Sequence, residues 1–248
     1  MNLLILFILI LVIIFCIINY TRNPLTTDTF ILVNYMYITL ALLIFILINN
    51  FITNPETILR LNSRILPLFI LTIMLLFGLL LCPSEYQTIK HIIWLGLIIL
   101  LSIMLQPIYI MAKQHNILPK VLISKGVIIA SMSYIAYSNK LDYFDGLFPY
   151  LFIGLIGLII FESLDLIFAD YTSPNINTRF WYYSVFSILL FSGFLVYDTQ
   201  KLIKTGQSLE IECVNQNHII CADYPSHTLD IILDILNLFS NITSVYIR

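Results

Sequence analysis

Charged residues are scarce in this chain. Only 10% of its 248 residues are Asp, Glu, Lys or Arg, whereas an ordinary soluble domain carries about 25%. The formal net charge is −2 without any basic block, so the chain lacks the electrostatic footprint of a nucleic-acid-binding protein. Hydrophobic residues make up 60%, more than a water-soluble domain can bury. The composition predicts an all-α, polytopic membrane protein, since a β-barrel would show short alternating segments instead.

Sequence motifs of metal and catalytic sites are also missing. Cys16 and Cys82 lie in hydrophobic segments, where we expect them to pack as small apolar residues. Cys213 and Cys221 share one long loop and would form a disulfide if that loop faces an oxidising compartment. The chain has no nucleophile elbow, glycine-rich phosphate loop or paired-histidine helix. We therefore expect neither enzymatic activity nor a cofactor.

Long hydrophobic segments make up most of the chain. A helix needs about 20 mostly apolar residues to cross the bilayer core. Seven segments meet or approach this length, namely 29–53, 65–82, 91–112, 121–138, 147–169, 179–201 and 227–247. An eighth, 3–20, has neither a preceding basic residue nor a small-residue cleavage site, which favours a retained helix over a signal peptide. Flanking Lys and Arg divide six against five between the two sides, so they set no orientation.

Polar residues interrupt the last segment at regular intervals. His227, Asp230, Asp234, Asn237 and Asn241 follow one another at spacings of three and four, which places them on one helix face. Leu, Ile, Val and Phe occupy most of the remaining surface. This polar stripe is predicted to face protein or water, while the rest of the helix faces lipid or packed neighbours.

Ionisable groups inside a membrane are expensive and suggest a functional site. Asp198, in the segment 179–201, shares a predicted helix face with Ser184 and Ser187. Two facing aspartates would share one proton and lock two helices, whereas full deprotonation would make them repel or bind Ca²⁺. The plainer alternatives are a helix-end cap for Asp198 and a helix-dipole role for Asp230.

Other charged residues in or near the segments have plainer interpretations. Glu162 and Asp165 lie toward the end of 147–169, where we expect them at the membrane interface. Lys125 is expected to extend toward the interface as well. An intramembrane aspartyl protease is disfavoured, because Tyr197-Asp198 has no Gly-Leu-Gly-Asp partner in the last segment.

Two elements of the sequence resemble the end of the Bax inhibitor-1 family, also called the transmembrane Bax inhibitor motif-containing family. They are Tyr197-Asp198-Thr199-Gln200 and, after a polar loop, the stretch from Ser226 to Phe239. The seven segments agree with the family's seven-helix plan. The resemblance implies a seven-helix membrane domain at 29–248. The chain departs from the family in having an extra hydrophobic segment and linker at 1–28, expected to be a retained helix or signal anchor. The loop 202–226 is longer than the family leads us to expect.

The resemblance also implies a site. The family's paired, pH-sensing aspartates correspond to Asp198 and Asp234, which would contact Ca²⁺ transiently. Asp230 corresponds to a second acid of the last helix. Independently of the family, the position of His227 at the mouth of the polar stripe suggests that it modulates the stripe. The family's basic residue near its second helix corresponds to Arg60 or Arg64, which would stabilise the closed state.

Three functions follow from the resemblance and the residues together. The first is a pH-sensitive calcium leak channel that contributes to calcium homeostasis and inhibits cell death. The second is a non-conducting regulator that binds cell-death or calcium-release proteins, and the third is a proton-coupled cation exchanger. The expected location is the endoplasmic reticulum or Golgi membrane for a eukaryotic or viral protein, and the plasma membrane for a bacterial one.

Overall fold

The computed structural model describes residues 25–52, 65–140, 143–168, 176–213 and 222–247, together with residue 8 and residues 10–15 and 17–18. Regular secondary structure in these ranges is entirely helical. The α-helices that they contain are α1 Thr27–Phe51, α2 Ile65–Leu81, α3 Gln87–Met104, α4 Gln106–Gln114, α5 Leu118–Ser138, α6 Phe148–Phe168, α7 Ile176–Glu212 and α8 Tyr224–Ile247. A short 3₁₀ turn, Asp145–Leu147, precedes α6.

The length and composition of these helices agree with a membrane protein. Six of the described helices are long and apolar enough to cross a bilayer. Helix α2 is shorter, with 17 residues, but it is apolar throughout apart from one threonine and one proline. Each of the predicted segments between 29 and 247 contains a helix, so the prediction of a polytopic all-α bundle is confirmed. Of the segment 3–20, the described residues are helical.

The predicted segment 91–112 is wrong in one respect, because it contains two helices. Helix α3 ends at Met104 and α4 begins at Gln106, with Leu105 between them. The break coincides with Pro107, which has no N–H to donate to the carbonyl of Ile103 and whose ring would clash with that carbonyl. Helical hydrogen bonds still flank the break, since Leu105 N–H bonds to the carbonyl of Leu101 and Tyr109 N–H to that of Leu105, both at 3.1 Å.

Helix α7 corrects the prediction of a long loop at 202–226. It has 37 residues and continues beyond the apolar segment to Glu212. The turn that ends it is at Cys213, whose N–H bonds to the carbonyl of Leu209 at 2.9 Å. The connection to α8 is therefore much shorter than the polar composition suggested.

The chain forms two compact units. Unit 1 contains Met1–Ile110 and Leu202–Ile232, and unit 2 contains Met111–Lys201 and Leu233–Arg248. Helices α7 and α8 each contribute residues to both units.

In unit 1, the end of α7 packs against the start of α1. A Cβ atom at Gly206 would lie 3.0 Å from Cδ1 of Phe30, so glycine permits this close approach. The carboxylate of Glu210 accepts a hydrogen bond from the backbone N–H of Thr27 at 3.0 Å and one from its hydroxyl. An unsatisfied N–H at the first turn of α1 is thereby capped by another helix. These contacts explain why 202–212 is helical.

Aromatic side chains form the core of unit 1. The ring of Tyr37 stacks on Tyr224 at 5.8 Å and meets Trp94 edge-on at 5.4 Å. Its hydroxyl is 2.6 Å from Nε2 of His91, so the one polar end of this buried side chain is hydrogen-bonded. This cluster joins α1, α3 and the start of α8.

In unit 2, glycines allow α6 and α7 to pack closely. A Cβ atom at Gly193 would lie 2.7 Å from Cδ2 of Leu151, and one at Gly154 would lie 2.9 Å from Cδ1 of Leu190. Each helix thus inserts a leucine opposite a glycine of the other. Small residues of this kind are a common basis of helix association in membranes.

Candidate functional site

The polar stripe of the last segment lies on the continuous helix α8, as its spacing predicted. Asn237 and Asn241 each donate an amide N–H to the carbonyl four residues earlier, at 3.0 and 2.9 Å. His227 and Asp230 belong to unit 1, and Asp234 belongs to unit 2 together with the two asparagines.

The apolar side of α8 is enclosed by protein. Six of its apolar side chains are at most 2% exposed, namely Leu229, Ile231, Ile232, Ile235, Leu238 and Phe239. The prediction left lipid or packed neighbours open for this face, and most of it has packed neighbours. Within the stripe, Asp234 is buried whereas Asp230, Asn237 and Asn241 are half-buried. The polar face of this inner helix is therefore its more accessible side.

Asp198 and Asp234, the predicted gate, both lie in unit 2. Asp234 is only 6% exposed, and Asp198 is half-buried. Asp198 does not cap a helix end, because α7 continues to Glu212. On α7, the predicted face of Asp198 also carries Ser184 and Ser187, which are 6% and 1% exposed.

The residues next to Asp198 fix α7 within unit 2. The ring of Tyr197 lies 5.2 Å from that of Phe148. The side-chain amide of Gln200 donates to the carbonyl oxygens of Ala136 and Lys140, at 3.2 and 3.0 Å. The Tyr197–Gln200 motif thus ties α7 to the end of α5 and the start of α6. Asp198 lies between Tyr197 and Gln200, the two residues that make these contacts.

The residues predicted to support the gate lie in different parts of the chain. The ring of His227 meets Phe30 edge-on at 5.5 Å, which places it in the aromatic core of unit 1. Asp230 is half-buried on α8. Arg60 and Arg64, the predicted basic residues, lie outside the described residues.

A buried ion pair was missed by the sequence analysis. Lys90, 3% exposed in the first turn of α3, donates to the carboxylate of Asp223 and to the hydroxyl of Ser226 at 3.3 Å. The pair ties α3 to the segment that leads into α8, within unit 1. No local pattern could have revealed it, because its partners are 133 residues apart.

Two positively charged side chains of unit 2 also interact with other side chains. Lys125 does not extend to the interface as predicted; it is 5% exposed and its Nζ lies 5.2 Å from the ring centre of Phe239. Arg179 at the start of α7 pairs with Asp165 at the end of α6, with Nη1 and Oδ1 3.4 Å apart.

Resident metal centres need several ligands in one place. Among the residues that the structure describes, no three His, Cys, Asp or Glu side chains come together in this way. Any contact of Asp198 or Asp234 with a cation would therefore rest on few carboxylates.

Comparison with protein families identifies the family of the chain. Residues 22–247 match the family described as inhibitor of apoptosis-promoting Bax1. The chain belongs to the Bax inhibitor-1 family. The match includes every helix from α1 to α8 and both motifs identified in the sequence. The chain is thus a Bax inhibitor-1 family membrane protein with multiple apolar helices. No curated protein sequence matches it.

Proposed function

We propose that this Bax inhibitor-1 family protein is a pH-sensitive calcium leak channel that contributes to calcium homeostasis and inhibits cell death. Asp198 and Asp234 form its gate, and Asp230 adds negative potential. Arg60 or Arg64 stabilises the closed state. Ca²⁺ is the transported ion and not a cofactor.

The observation that carries this proposal is the position of the two aspartates within unit 2. Asp234 is 6% exposed on an apolar helix, and Asp198 lies well inside α7. Burying an ionised carboxylate is strongly unfavourable, so acids in such positions are retained where they have a function.

The electrostatics of a carboxylate pair give the direction of the pH response. With one shared proton, the pair carries a single charge and forms a short hydrogen bond that holds the two helices together. When the proton is lost, the two carboxylates repel each other and offer hard oxygen ligands to Ca²⁺. Conduction should accordingly rise as the pH rises.

Purified protein in liposomes tests the gate. We expect protein-dependent Ca²⁺ efflux that increases with pH, and we expect Asp198→Asn and Asp234→Asn to remove this pH dependence. Glu85→Gln changes an exposed acid between α2 and α3 and should leave the response unchanged. An efflux with unaltered pH dependence in both aspartate variants would show that these residues are not the gate.

The same liposomes distinguish the other functions. An exchanger would move Ca²⁺ only when a proton gradient is imposed, whereas a leak channel needs none. A non-conducting regulator would give no efflux at any pH, and cell-death or calcium-release proteins would be recovered with it from membranes.

A further inference from the structure

Unit 2 contains an open cavity of about 480 Å³ between α6, α7 and α8. Its polar lining includes Glu162 and Ser163 of α6, Tyr183 and Ser184 of α7, and Asn241 and Ser244 of α8. Each helix contributes polar groups at the same level, although all three are mostly apolar. Lipid contact does not explain this arrangement, since polar groups in membrane helices normally face one another or water.

Several oxygen atoms of the lining are available as acceptors. Asn241 donates its amide N–H to the carbonyl of Asn237 at 2.9 Å, and the hydroxyl of Ser244 donates to the carbonyl of Ser240 at 3.1 Å. One amide hydrogen of Asn241 and the hydroxyl hydrogen of Ser244 thus bond to the helix backbone, and the side-chain oxygen atoms keep lone pairs for a ligand. Oxygen acceptors favour a cation over an anion.

The charge of the cavity is also negative. Among the described residues, no hydrogen bond or ion pair involves Glu162, whose exposed side chain lines the cavity together with that of Tyr183. The nearby Arg179 is neutralised by Asp165, with which it forms the 3.4 Å ion pair. One carboxylate therefore remains without a positively charged neighbour.

Polar groups continue from the cavity toward the proposed gate. On α8, Asn237 and Asp234 follow Asn241 at helical spacing on the same face. On α7, Ser187 lies one turn beyond Ser184 and is 1% exposed, and its Oγ makes no hydrogen bond to any described residue. A buried hydroxyl of this kind is normally satisfied by a small polar ligand such as water.

We propose that this cavity is an entry vestibule that binds a hydrated divalent cation, with Glu162 as its charged ligand. The inference rests on the proposed channel function and adds a second cation site to it. A divalent ion with six waters of about 30 Å³ each fits easily into the cavity. One carboxylate among neutral oxygens binds weakly, which suits an ion that must move on.

Luminescence of Tb³⁺, a surrogate for Ca²⁺, tests the vestibule in the purified full-length protein. Excitation of Tyr183 should sensitise Tb³⁺ bound beside it, and Ca²⁺ should displace the ion. We expect Glu162→Gln to weaken Tb³⁺ binding about tenfold because the site loses its charge. Tyr183→Phe should lower the emission without changing the affinity.

Matched controls are available nearby in the chain. Tyr182 is exposed next to Tyr183, and Glu85 is an exposed acid of unit 1; Tyr182→Phe and Glu85→Gln should match the wild type. Asn241→Leu, which removes a neutral ligand, should also weaken binding and provides a second variant. Elution as a single species in detergent shows that each variant is folded.

The outcomes separate the vestibule from the gate. Equal Tb³⁺ affinity in the wild type and Glu162→Gln would overturn the vestibule, as would displacement by K⁺ at the same concentration as Ca²⁺. Asp234→Asn should keep the Tb³⁺ site while it alters the flux. If its flux is unaltered but the Tb³⁺ site persists, the gate assignment fails and the vestibule stands.

Discussion

Two lysines are buried in the described part of the chain, and each is accommodated differently. Lys90 donates to Asp223, a charge-assisted hydrogen bond, whereas Lys125 lies over the ring of Phe239. A cation over an aromatic ring gains about 0.5–2 kcal/mol. Both solutions depend on residues far away in the sequence. Hydropathy could show that these cations need partners, but it could not show which ones.

The ion pair of Lys90 leads to a prediction about stability. Removing one member of a buried pair leaves an uncompensated charge and costs about 3–5 kcal/mol, whereas removing both is often close to neutral. Because Asp223 is partly exposed, we expect Lys90→Met to lower the free energy of unfolding by about 3 kcal/mol or less. We expect Lys90→Met to lower the thermal unfolding temperature in detergent, and Lys90→Met/Asp223→Asn to recover part of the loss. Lys120→Met, an exposed lysine of α5, is the control. Equal unfolding temperatures for Lys90→Met and the control would show that the pair contributes nothing.

The two aspartates of the proposed gate could be singled out from the sequence for a different reason. Asp198 and Asp234 are conspicuous because they interrupt long apolar segments, and the motifs around them single them out from other acids. The vestibule was not predictable in this way. Glu162 lies near the end of its segment, where an acid is ordinary, and its cavity exists only because three helices bring polar groups to one level.

At the scale of elements, hydrophobic segments predicted where helices occur but not where all of them end. The break at Leu105 follows from Pro107, whose effect on the backbone is local and could have been read from the sequence. The extension of α7 to Glu212 has no such signal. Residues 202–212 are mostly polar and include Gly206, and they are helical because they pack against α1 and cap it.

The packing of α6 against α7 gives an element-scale prediction. Three atoms of Leu151 lie within 3.7 Å of the position of a Cβ on Gly193. Gly193→Leu should therefore force the helices apart, and such overpacking costs about 1–3 kcal/mol. Leu151→Ala vacates the same space and should make the double variant more stable than the sum of the two changes predicts.

A glycine elsewhere on α6 provides the control for this experiment. A Cβ at Gly157 would meet no atom within 4 Å, so Gly157→Leu should unfold at or above the wild-type temperature. Thermal unfolding of all four variants in one detergent measures the coupling. Strict additivity of Gly193→Leu and Leu151→Ala would contradict direct packing between these residues.

At the scale of the whole molecule, the sequence does not determine the orientation of the chain in the membrane. Lys and Arg residues are divided almost evenly between the two sides, so the positive-inside rule has little to act on. The structure adds a disulfide at Cys213, whose partner lies outside the described residues, while Cys82 is free. Disulfides persist in oxidising compartments, so the end of α7 is expected to face the lumen or the cell exterior.

Contacts within unit 1 extend this argument beyond one cysteine. Glu210 near the end of α7 bonds to Thr27 at the start of α1, and Lys90 at the start of α3 pairs with Asp223 just before α8. These four helix ends therefore lie together at one membrane surface. Cys82 lies in the turn that leads into α3, so its thiol should be on the same side as Cys213.

A membrane-impermeant maleimide checks this orientation in sealed vesicles whose cytosolic face is outward. We expect Cys82 to react only after the vesicles are permeabilised, and Cys213 to react only after permeabilisation followed by reduction. Cys82→Ser should remove the first adduct, whereas Cys213→Ser leaves its partner cysteine as a free thiol that no longer needs reduction to react. Labelling of Cys82 in intact vesicles would place this end of unit 1 in the cytosol. The disulfide of Cys213 would then lie in a reducing compartment, where a disulfide is not expected to persist, and the orientation would have to be reversed.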